Sequence, residues 1–263
     1  MRLPARSSLL KPCLLAAALC AGAALASANA ADPAPHWGYE NVVSPADWSG
    51  LAPACAGPQQ SPIDLWSSDI KQGSRKGLET DYSFTRFSVL NNGHTLQATP
   101  QKGRDNHIEL DGERYDLAQF HVHTPSEHHV DGKPHDMELH LVHANAEGRL
   151  AVVAVFFDVG KPNWALTELF DRTATELAQP GQQLQLYAAI NPERLMPSHS
   201  RVVHYSGSLT TPPCTEGVLW NIEMEPQSIS QDQLDALRAV FPHNARPIQP
   251  FNQRRLFDQP AAP

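Results

Sequence analysis

Two segments of the chain alternate between polar and apolar side chains, and this alternation constrains the fold more than any other sequence feature. In Gln119–His123 a polar residue stands at every second position, and in Glu138–His143 the apolar Leu139 lies between Glu138 and His140. Successive side chains of a β-strand point to opposite faces of the sheet. We therefore predict two strands that each present histidine to one face and apolar side chains to the other.

These strands carry a candidate metal site. If they pair, His140 meets His121 and His123, and three neutral imidazoles without a further protein ligand form a tetrahedral zinc site with one open position, as in catalytic zinc centres. Gln119 and Glu138 each precede one of these histidines by two residues on the same face. We expect them to accept the second ring N–H and so fix the tautomer. The alternative is that the His-x-His pattern reflects surface polarity or chance.

The rest of the sequence predicts a mainly β fold, with α-helix as a minor component. Turn signals such as Asn92-Gly93 and Asp111-Gly112 separate short strand-like runs. The predicted strands are Phe84–Leu90, Arg114–His123, Met137–His143, Leu150–Phe157 and Val218–Glu223. Two helices are predicted, one capped by Asn163 before Trp164, Leu166, Leu169 and Phe170, and one with a Ser230/Gln233 capping box before Leu234, Leu237, Val240 and Phe241. We predict a single domain with a large, mostly antiparallel sheet and peripheral short helices.

Residues 1–30 resemble a secretory signal peptide. Three cations, Arg2, Arg6 and Lys11, precede the uncharged run Cys13–Ala26, and small residues follow up to Ala30. We predict cleavage before Ala31, which makes residues 31–263 the mature domain. A membrane anchor is the weaker alternative, because the apolar run is shorter than the roughly 18–20 residues that a bilayer span requires. The mature chain is then expected to have no membrane span and to be periplasmic or secreted.

The charge balance argues against a nucleic-acid partner. The 20 Lys and Arg are outnumbered by 28 Asp and Glu, and removal of residues 1–30 leaves 17 cations, which gives a net charge of −11. Proteins that bind nucleic acid present a basic face. We expect none here.

The cysteines predict one disulfide. Cys13 and Cys20 lie in the predicted signal peptide, so the mature chain retains only Cys55 and Cys214. An even count in an oxidising compartment favours a bond between them. Two buried free thiols are the alternative.

Several sequence blocks together resemble one known family, the alpha-class carbonic anhydrases. The main blocks are QFHVHTPSEH at 119–128, MELHLVHAN at 137–145 and YSGSLTTPP at 205–213. HWGY at 36–39, QSPID at 60–64, LNNGH at 90–94 and RPIQPFNQR at 246–254 follow the order of the family. Thr124 stands where a Trp commonly follows the histidine pair, and the stretch to Glu127 is short. Both departures resemble bacterial, exported members.

The resemblance implies a twisted sheet with one zinc ion per chain at the base of a conical cleft, held by His121, His123 and His140. It implies reversible hydration of carbon dioxide to bicarbonate and a proton through zinc-bound hydroxide, with carbon dioxide, water and bicarbonate as the small-molecule partners. Weak ester hydrolysis is expected as a side activity. A homodimer is compatible with the family.

The resemblance also implies roles for individual residues. Thr210 and Glu127 match an orienting pair, in which Thr210 donates its hydroxyl proton to Glu127 and can then only accept a hydrogen bond from the nucleophile. Otherwise the Thr-Thr-Pro-Pro sequence is a rigid turn and Glu127 a solvated acid. His94 matches a proton shuttle, and Tyr39 and Asn92 match residues that order the intervening water. An idle histidine in an exposed turn is the alternative.

A hydrophobic substrate pocket is implied as well, although its members would also suit any β core. They are Val142, Val152, Leu209, Thr211, Val218 and Trp220.

Three other functions remain as alternatives. A non-catalytic binding module on the same fold would lack part of the ligand set, which is complete here. A periplasmic zinc-buffering protein would bind more than one metal through the histidine-rich stretch 121–143. A zinc peptidase is disfavoured because no His-Glu-x-x-His motif is present.

Overall fold

Alternating burial along the long strands builds one large twisted sheet with a hydrophobic cluster on each face. The computed structural model describes residues 37–40, 43–73 and 77–259, which fall within the compact unit Pro35–Pro263. The predicted signal peptide, with Cys13 and Cys20, lies outside the described residues. Within these ranges, no helix combines the length and apolar character needed to cross a membrane.

The described strands are β1 (Asp64–Leu65), β2 (Ile70–Gln72), β3 (Glu79–Tyr82), β4 (Phe87–Asn91), β5 (Leu96–Pro100), β6 (Asn106–Leu110), β7 (Glu113–His123), β8 (His129–Val130), β9 (Lys133–Pro134), β10 (Met137–Ala144), β11 (Leu150–Val159), β12 (Gln183–Gln185), β13 (Val202–Ser208), β14 (Glu216–Ile229) and β15 (Leu256–Gln259). The helices are α1 (Trp48–Leu51), α2 (Thr167–Glu176) and α3 (Gln231–Arg238), with 3-10 helices at Pro53–Ala56, Trp164–Leu166 and Pro192–Leu195.

The predicted fold class is confirmed. Twelve of the described strands form one sheet in the order β12-β4-β5-β7-β10-β11-β14-β13-β15-β2, with β6 also paired to β7 and β3 to β6. Most of its pairs are antiparallel, whereas β11 with β14 and β15 with β2 run parallel. A separate small sheet contains β1, β8 and β9. The five predicted strands all form, but the first begins at Phe87 and leaves Phe84 half exposed in the preceding loop.

Both predicted helix starts form, with one difference. The Ser230/Gln233 capping box precedes α3, as expected. The Asn163 side chain accepts a hydrogen bond from the amide of Ala165 and begins a 3-10 turn that continues into α2. Leu166 and Phe170 are buried, but Trp164 is 82% exposed because the tight first turn directs it away from the sheet.

Alternation divides the core between the two sheet faces. Leu139 and Leu141 of β10 enter the cluster that packs beneath α2 and α3, together with Leu169 and Leu234. Val142 enters the second cluster, on the face that carries the predicted metal site.

The predicted disulfide between Cys55 and Cys214 is confirmed, and the bond excludes the alternative of two free thiols. It is buried against Trp48 and ties the 3-10 helix Pro53–Ala56 to the loop that follows Thr210. The cross-link spans 159 positions. A loop of this length can contribute up to about 5 kcal/mol by restricting the unfolded chain.

His143 lies at the end of β10 on the hydrophobic side of the sheet, and its Nε2 is 2.8 Å from the Tyr82 hydroxyl. Burial lowers the pKa of His143 from 6.5 to about 3. The unfolded chain therefore binds a proton between these two pH values that the folded chain does not bind. Stability must fall as the pH drops below about 6.5.

We predict that His143→Gln weakens this pH dependence. In metal-free protein, the free energy of unfolding of the wild type should fall by up to about 1.4 kcal/mol per pH unit from this residue alone. Urea titrations from pH 7 to pH 4 should show a shallower slope for His143→Gln. The exposed His199, changed to Gln, is the matched control and should keep the wild-type slope. Equal slopes for both variants would contradict this assignment.

Candidate metal centre

The pairing of β7 with β10 brings the three predicted histidines together. In the antiparallel register His140 lies opposite His121, and Glu138 lies opposite His123. The ring centroids are 5.0 Å apart for His121 and His123, 5.1 Å for His121 and His140, and 4.7 Å for His123 and His140. The predicted meeting of the two strands is therefore confirmed.

Each ring has an acceptor that fixes its tautomer. Gln119 Oε1 lies 2.9 Å from His121 Nδ1, and Glu138 Oε1 lies 2.8 Å from His140 Nε2, as the sequence predicts. The acceptor for His123 Nδ1 is the main-chain oxygen of Asn244 at 2.7 Å. Because each of these nitrogens donates its proton, the remaining nitrogen of each neutral ring carries a lone pair.

The three lone pairs face one another, with His123 and His140 buried and His121 partly buried. His121 Nε2 and His140 Nδ1 are 3.3 Å apart, and neither can donate to the other in these tautomers. His123 Nε2 is buried without a hydrogen-bond partner. A tetrahedral ion with bonds of about 2.0–2.1 Å would separate its nitrogen ligands by roughly 3.3–3.4 Å. The donor set therefore fits a metal ion, and the geometry is consistent with a metal site.

Burial keeps His121 and His123 neutral. It lowers the pKa of His121 well below 6.5, and repulsion from His123 and His140 lowers it further. Burial also lowers the pKa of His123, against the opposing effect of Glu127. At neutral pH the lone pairs of His121 and His123 are therefore free of competing protons, which is the state that binds a metal cation.

Glu138 organises the buried polar groups around the site. Its Oε1 also accepts from His128 Nδ1 at 2.7 Å, and its Oε2 accepts the amides of Glu127 and His128, both at 2.8 Å. Burial alone would raise the pKa of Glu138, but its electrostatic interactions and hydrogen bonds with His128 and His140 hold it well below 4.5. His128 is held by Glu138 and by the Tyr205 hydroxyl, which lies 2.6 Å from its Nε2.

Glu127 borders the histidine cluster, but its predicted bond with Thr210 is not formed. Glu127 Oε1 accepts the amide of Arg246 at 2.9 Å. Its Oε2 is buried without a hydrogen-bond partner and lies 3.5 Å from His123 Nε2. Thr210 is 5% exposed in the loop before the disulfide. The orienting pair therefore stays a prediction.

The predicted shuttle residue, His94, lines the same cavity as His121 and His123. This cavity of about 120 Å³ is lined by His94, Asn92, Tyr39 and Thr211 together with His121 and His123. The His94 ring stacks on Trp37 with centroids 3.6 Å apart and 6° between the planes.

Polar groups shape the turn and the cavity wall. Asn92 Oδ1 accepts the amides of His94 and Thr95, both at 2.9 Å, and so fixes the turn that carries His94. The Tyr39 hydroxyl is buried without a hydrogen-bond partner. Burial, and then the charge of Glu127, raise its pKa well above 10. Tyr39 is therefore neutral and can donate a proton to a hydrogen bond in the cavity.

The predicted pocket residues cluster on the histidine face. Val142, Val152, Val218 and Trp220 belong to one buried cluster, and Leu209 packs against it. The Trp220 ring lies edge-on to His140 with centroids 4.9 Å apart. An apolar wall therefore adjoins the histidine cluster, as the assignment requires.

Sequence reasoning missed three contributors to the site, namely Asn244, Trp37 and Arg246. Asn244 and Arg246 act through a main-chain oxygen and a main-chain amide, which every residue type except proline provides. Arg246 begins the family-like block 246–254, but no side-chain pattern assigns either main-chain group to the site. Trp37 lies in one of the family-like blocks, but its stacking partner is 57 positions further along the chain.

Comparison with known proteins agrees with this geometry. A family profile described as eukaryotic-type carbonic anhydrase matches residues 43–260, which is most of the chain. A carbonic anhydrase from Nostoc sp. is 40% identical over 230 residues, which cover 85% of this chain and 86% of the relative.

Solved structures show the same fold. An alpha-carbonic anhydrase from Thermovibrio ammonificans, in complex with the inhibitor sulfanilamide, superposes with a TM-score of 0.80 and 41% identity. The alignment covers 85% of this chain and 99% of that one. The alpha-carbonic anhydrase of Photobacterium profundum gives a TM-score of 0.77 and 40% identity, with 84% of this chain and 100% of that one covered.

Proposed function

The chain belongs to the eukaryotic-type, or alpha, carbonic anhydrase family and has carbonic anhydrase activity, and we propose that it works with one zinc ion held by His121, His123 and His140. The observation that carries this proposal is the convergence of three imidazole nitrogens that each carry a lone pair. Two of these nitrogens lie 3.3 Å apart, and none of the three can donate a hydrogen bond to another. When bound, zinc lowers the pKa of a water molecule from 15.7 to about 7 and so supplies a nucleophile at neutral pH.

The acceptors around the ligands set how that ion is held. Gln119, Glu138 and the Asn244 carbonyl each hold one N–H, so all three rings bind as neutral imidazoles. Neutral ligands leave the full charge of a divalent cation in the site. Their fixed orientation also means that little rearrangement is needed when the metal binds.

Thr210 and Glu127 are proposed to orient the nucleophile. Glu127 Oε2 is a buried acceptor beside His123, and Thr211, next to Thr210, lines the cavity that contains His123. If the Thr210 hydroxyl donates to this oxygen, it can only accept a hydrogen bond from the nucleophile. The nucleophile then presents its lone pair to the substrate carbon.

The apolar cluster is proposed to hold carbon dioxide. The substrate carries no net charge, so a dry wall of Val142, Val152, Leu209, Val218 and Trp220 suits it better than charged side chains. Thr211 adds a polar group on the cavity side. Weak hydrolysis of activated esters is a side activity that the same site would support.

His94 is proposed to pass the released proton to the solvent. It lines the ligand cavity and is half-buried at its wall, with Tyr39 and Asn92 beside it. An imidazole with an ordinary pKa near 6.5 exchanges protons readily with a group near 7.

We also propose that residues 1–30 direct export and that the mature domain, 31–263, works in the periplasm or outside the cell. The Cys55–Cys214 disulfide supports this location, because such bonds persist in oxidising compartments. Carbon dioxide, water and bicarbonate are the proposed small-molecule partners.

The proposal predicts one zinc per chain and activity that depends on it. In stopped-flow assays, purified protein should hydrate carbon dioxide, lose the activity on prolonged chelation and regain it on addition of zinc. His123→Ala should lower both zinc content and activity, whereas His199→Ala, at an exposed position outside the cavity, should change neither. Several bound metals without hydration would instead identify a zinc-buffering protein, and activity without bound zinc would refute the proposal.

Thr210→Ala is expected to slow turnover about 10–100-fold, the effect of losing one hydrogen bond to a charged group. The zinc content should stay near one per chain, because Thr210 is not a ligand. Thr215→Ala, an exposed change in the same loop, is the control and should retain activity. Unchanged turnover in Thr210→Ala would remove the hydroxyl from the mechanism.

His94→Ala is expected to lower kcat in dilute buffer by about 10-fold or more, because proton release loses its relay. The value of kcat/KM should change little, and added imidazole should restore kcat. His199→Ala serves as the control for loss of a surface histidine. A variant that keeps its kcat and does not respond to imidazole would rule out the relay.

A further inference from the structure

A second cavity adjoins the cavity that contains the metal ligands. Its volume is about 300 Å³, and the described residues that line it include Trp37, Tyr39, His94 and His243. The first three of these residues also line the ligand cavity, whereas His243 does not. Trp37, Tyr39 and His94 therefore form a partition between two cavities. We call the second one the His243 cavity.

His94 is half-buried in this partition. Its ring stacks on Trp37 with centroids 3.6 Å apart and 6° between the planes, so Trp37 covers one face of the ring. An imidazole can accept a proton at one nitrogen and release a proton from the other. The position of His94 thus suits transfer between the two cavities, whereas its burial restricts direct contact with buffer molecules.

Asn244 ties the segment that carries His243 to the turn that carries His94. The Asn244 side-chain amide donates to the main-chain oxygens of His94 and Val122, both at 3.0 Å. Its Oδ1 accepts the amide of Thr124 at 2.7 Å. Because His243 directly precedes Asn244, its backbone is held at a defined place beside the His94 turn.

The other side of this segment is anchored to α3. The Phe241 amide donates to the Leu237 carbonyl at 2.9 Å, and Phe241 is only 8% exposed. Pro242 and His243 follow at the surface, and both are exposed. His243 therefore lies where the cavity meets the solvent, and buffer molecules can reach its ring.

The cavity is suited to the passage of a proton. A volume of about 300 Å³ holds several water molecules, because each occupies roughly 30 Å³ in the liquid. Glu40 is the only acid among the described residues that line it, and these residues include no Lys or Arg. The negative charge of Glu40 favours a cation in the cavity over an anion. Tyr39 stays neutral, since burial holds its pKa well above 10.

We propose that His243 is the outer proton acceptor of this protein, which takes the proton from His94 across the His243 cavity and passes it to buffer. The inference rests on the proposed function and deepens its relay step. Protonated His94 releases an N–H proton to the cavity water and becomes neutral. A ring nitrogen of His243 accepts a proton from that water, and a buffer base then removes it.

No sequence pattern marks this role. His243 lies outside every family-like block, since the nearest one begins at Arg246. The alternative is an idle surface histidine. The cavity that His243 shares with His94 is the observation against that alternative.

Stopped-flow hydration by the zinc-loaded mature protein, in buffer from dilute to saturating, tests the inference. His243→Gln should raise the buffer concentration that gives half-maximal kcat by about threefold or more, because buffer must then reach the half-buried His94. The value of kcat/KM, and kcat in saturating imidazole, should match the wild type, because the ligand cavity is unchanged.

His199→Gln is the matched control. His199 is also exposed, but it lines neither cavity. This variant should keep the wild-type dependence on buffer. Unchanged circular dichroism in both variants excludes altered folding as the cause of any difference.

A double variant tests the order of the two histidines. When two groups act in series, removal of the second has no effect once the first is absent. His94→Ala/His243→Gln should therefore have the same kcat as His94→Ala at every buffer concentration. A further loss in the double variant would give His243 a route that does not include His94 and would overturn the inference.

NMR of the histidine rings supplies a readout that is independent of turnover. The ring-nitrogen signals of His94 should shift in His243→Gln, because the two side chains line one cavity. They should stay in place in His199→Gln. Unshifted His94 signals in both variants would contradict the proposed connection.

The buffer series also separates this inference from the proposed function. Full hydration activity with a wild-type buffer dependence in His243→Gln would make His243 an idle surface residue and leave the proposed function standing. Protein that binds zinc but does not hydrate carbon dioxide would refute the proposed function, and the inference with it.

Discussion

The structure depends on the register of β7 against β10, which brings together three imidazole acceptors, two of them buried and one partly buried, none of which can donate to another. A buried polar group without a partner costs about 1–3 kcal/mol. Accumulating His121 Nε2, His123 Nε2 and His140 Nδ1 at one point is therefore unfavourable unless a cation binds them all. Metal binding and the stability of this part of the sheet are linked for that reason.

Glu138 makes this arrangement possible. A single buried carboxylate takes two imidazole N–H groups and two main-chain amides, and so joins β10 to the segment that follows β7. It fixes the tautomer of His140 and positions Glu127, whose amide it holds. Replacing such a hub with an apolar side chain would leave several donors unsatisfied at once, which explains why so polar a group lies at the centre of the sheet.

The two faces of the sheet carry different parts of the molecule. The histidine cluster and its apolar wall occupy one face, and the hydrophobic cluster on the other face packs beneath α2 and α3. The disulfide ties the loop after Thr210 to the 3-10 helix Pro53–Ala56, so this loop does not depend on strand pairing alone.

The sequence alone determined the features that follow local or counting rules. Alternation indicated which faces His121, His123 and His140 occupy, and capping residues indicated where α3 begins. The two cysteines outside the predicted signal peptide have only one possible bond with each other. The hydrogen-bond acceptors of His121 and His140 were predictable as well. Gln119 and Glu138 each lie two residues before the histidine that they hold, on the same strand.

Only the tertiary structure decided the contacts that depend on the path of the chain. The Asn244 carbonyl reaches His123 across 121 positions, and the Arg246 amide takes the Glu127 oxygen across 119. Main-chain groups are the same at nearly every residue, so no side-chain pattern marks them. Trp164 belongs to an apolar pattern but lies outside the core, because the tight turn at the start of its helix changes the direction of the side chain, and hydrophobicity alone does not reveal that turn.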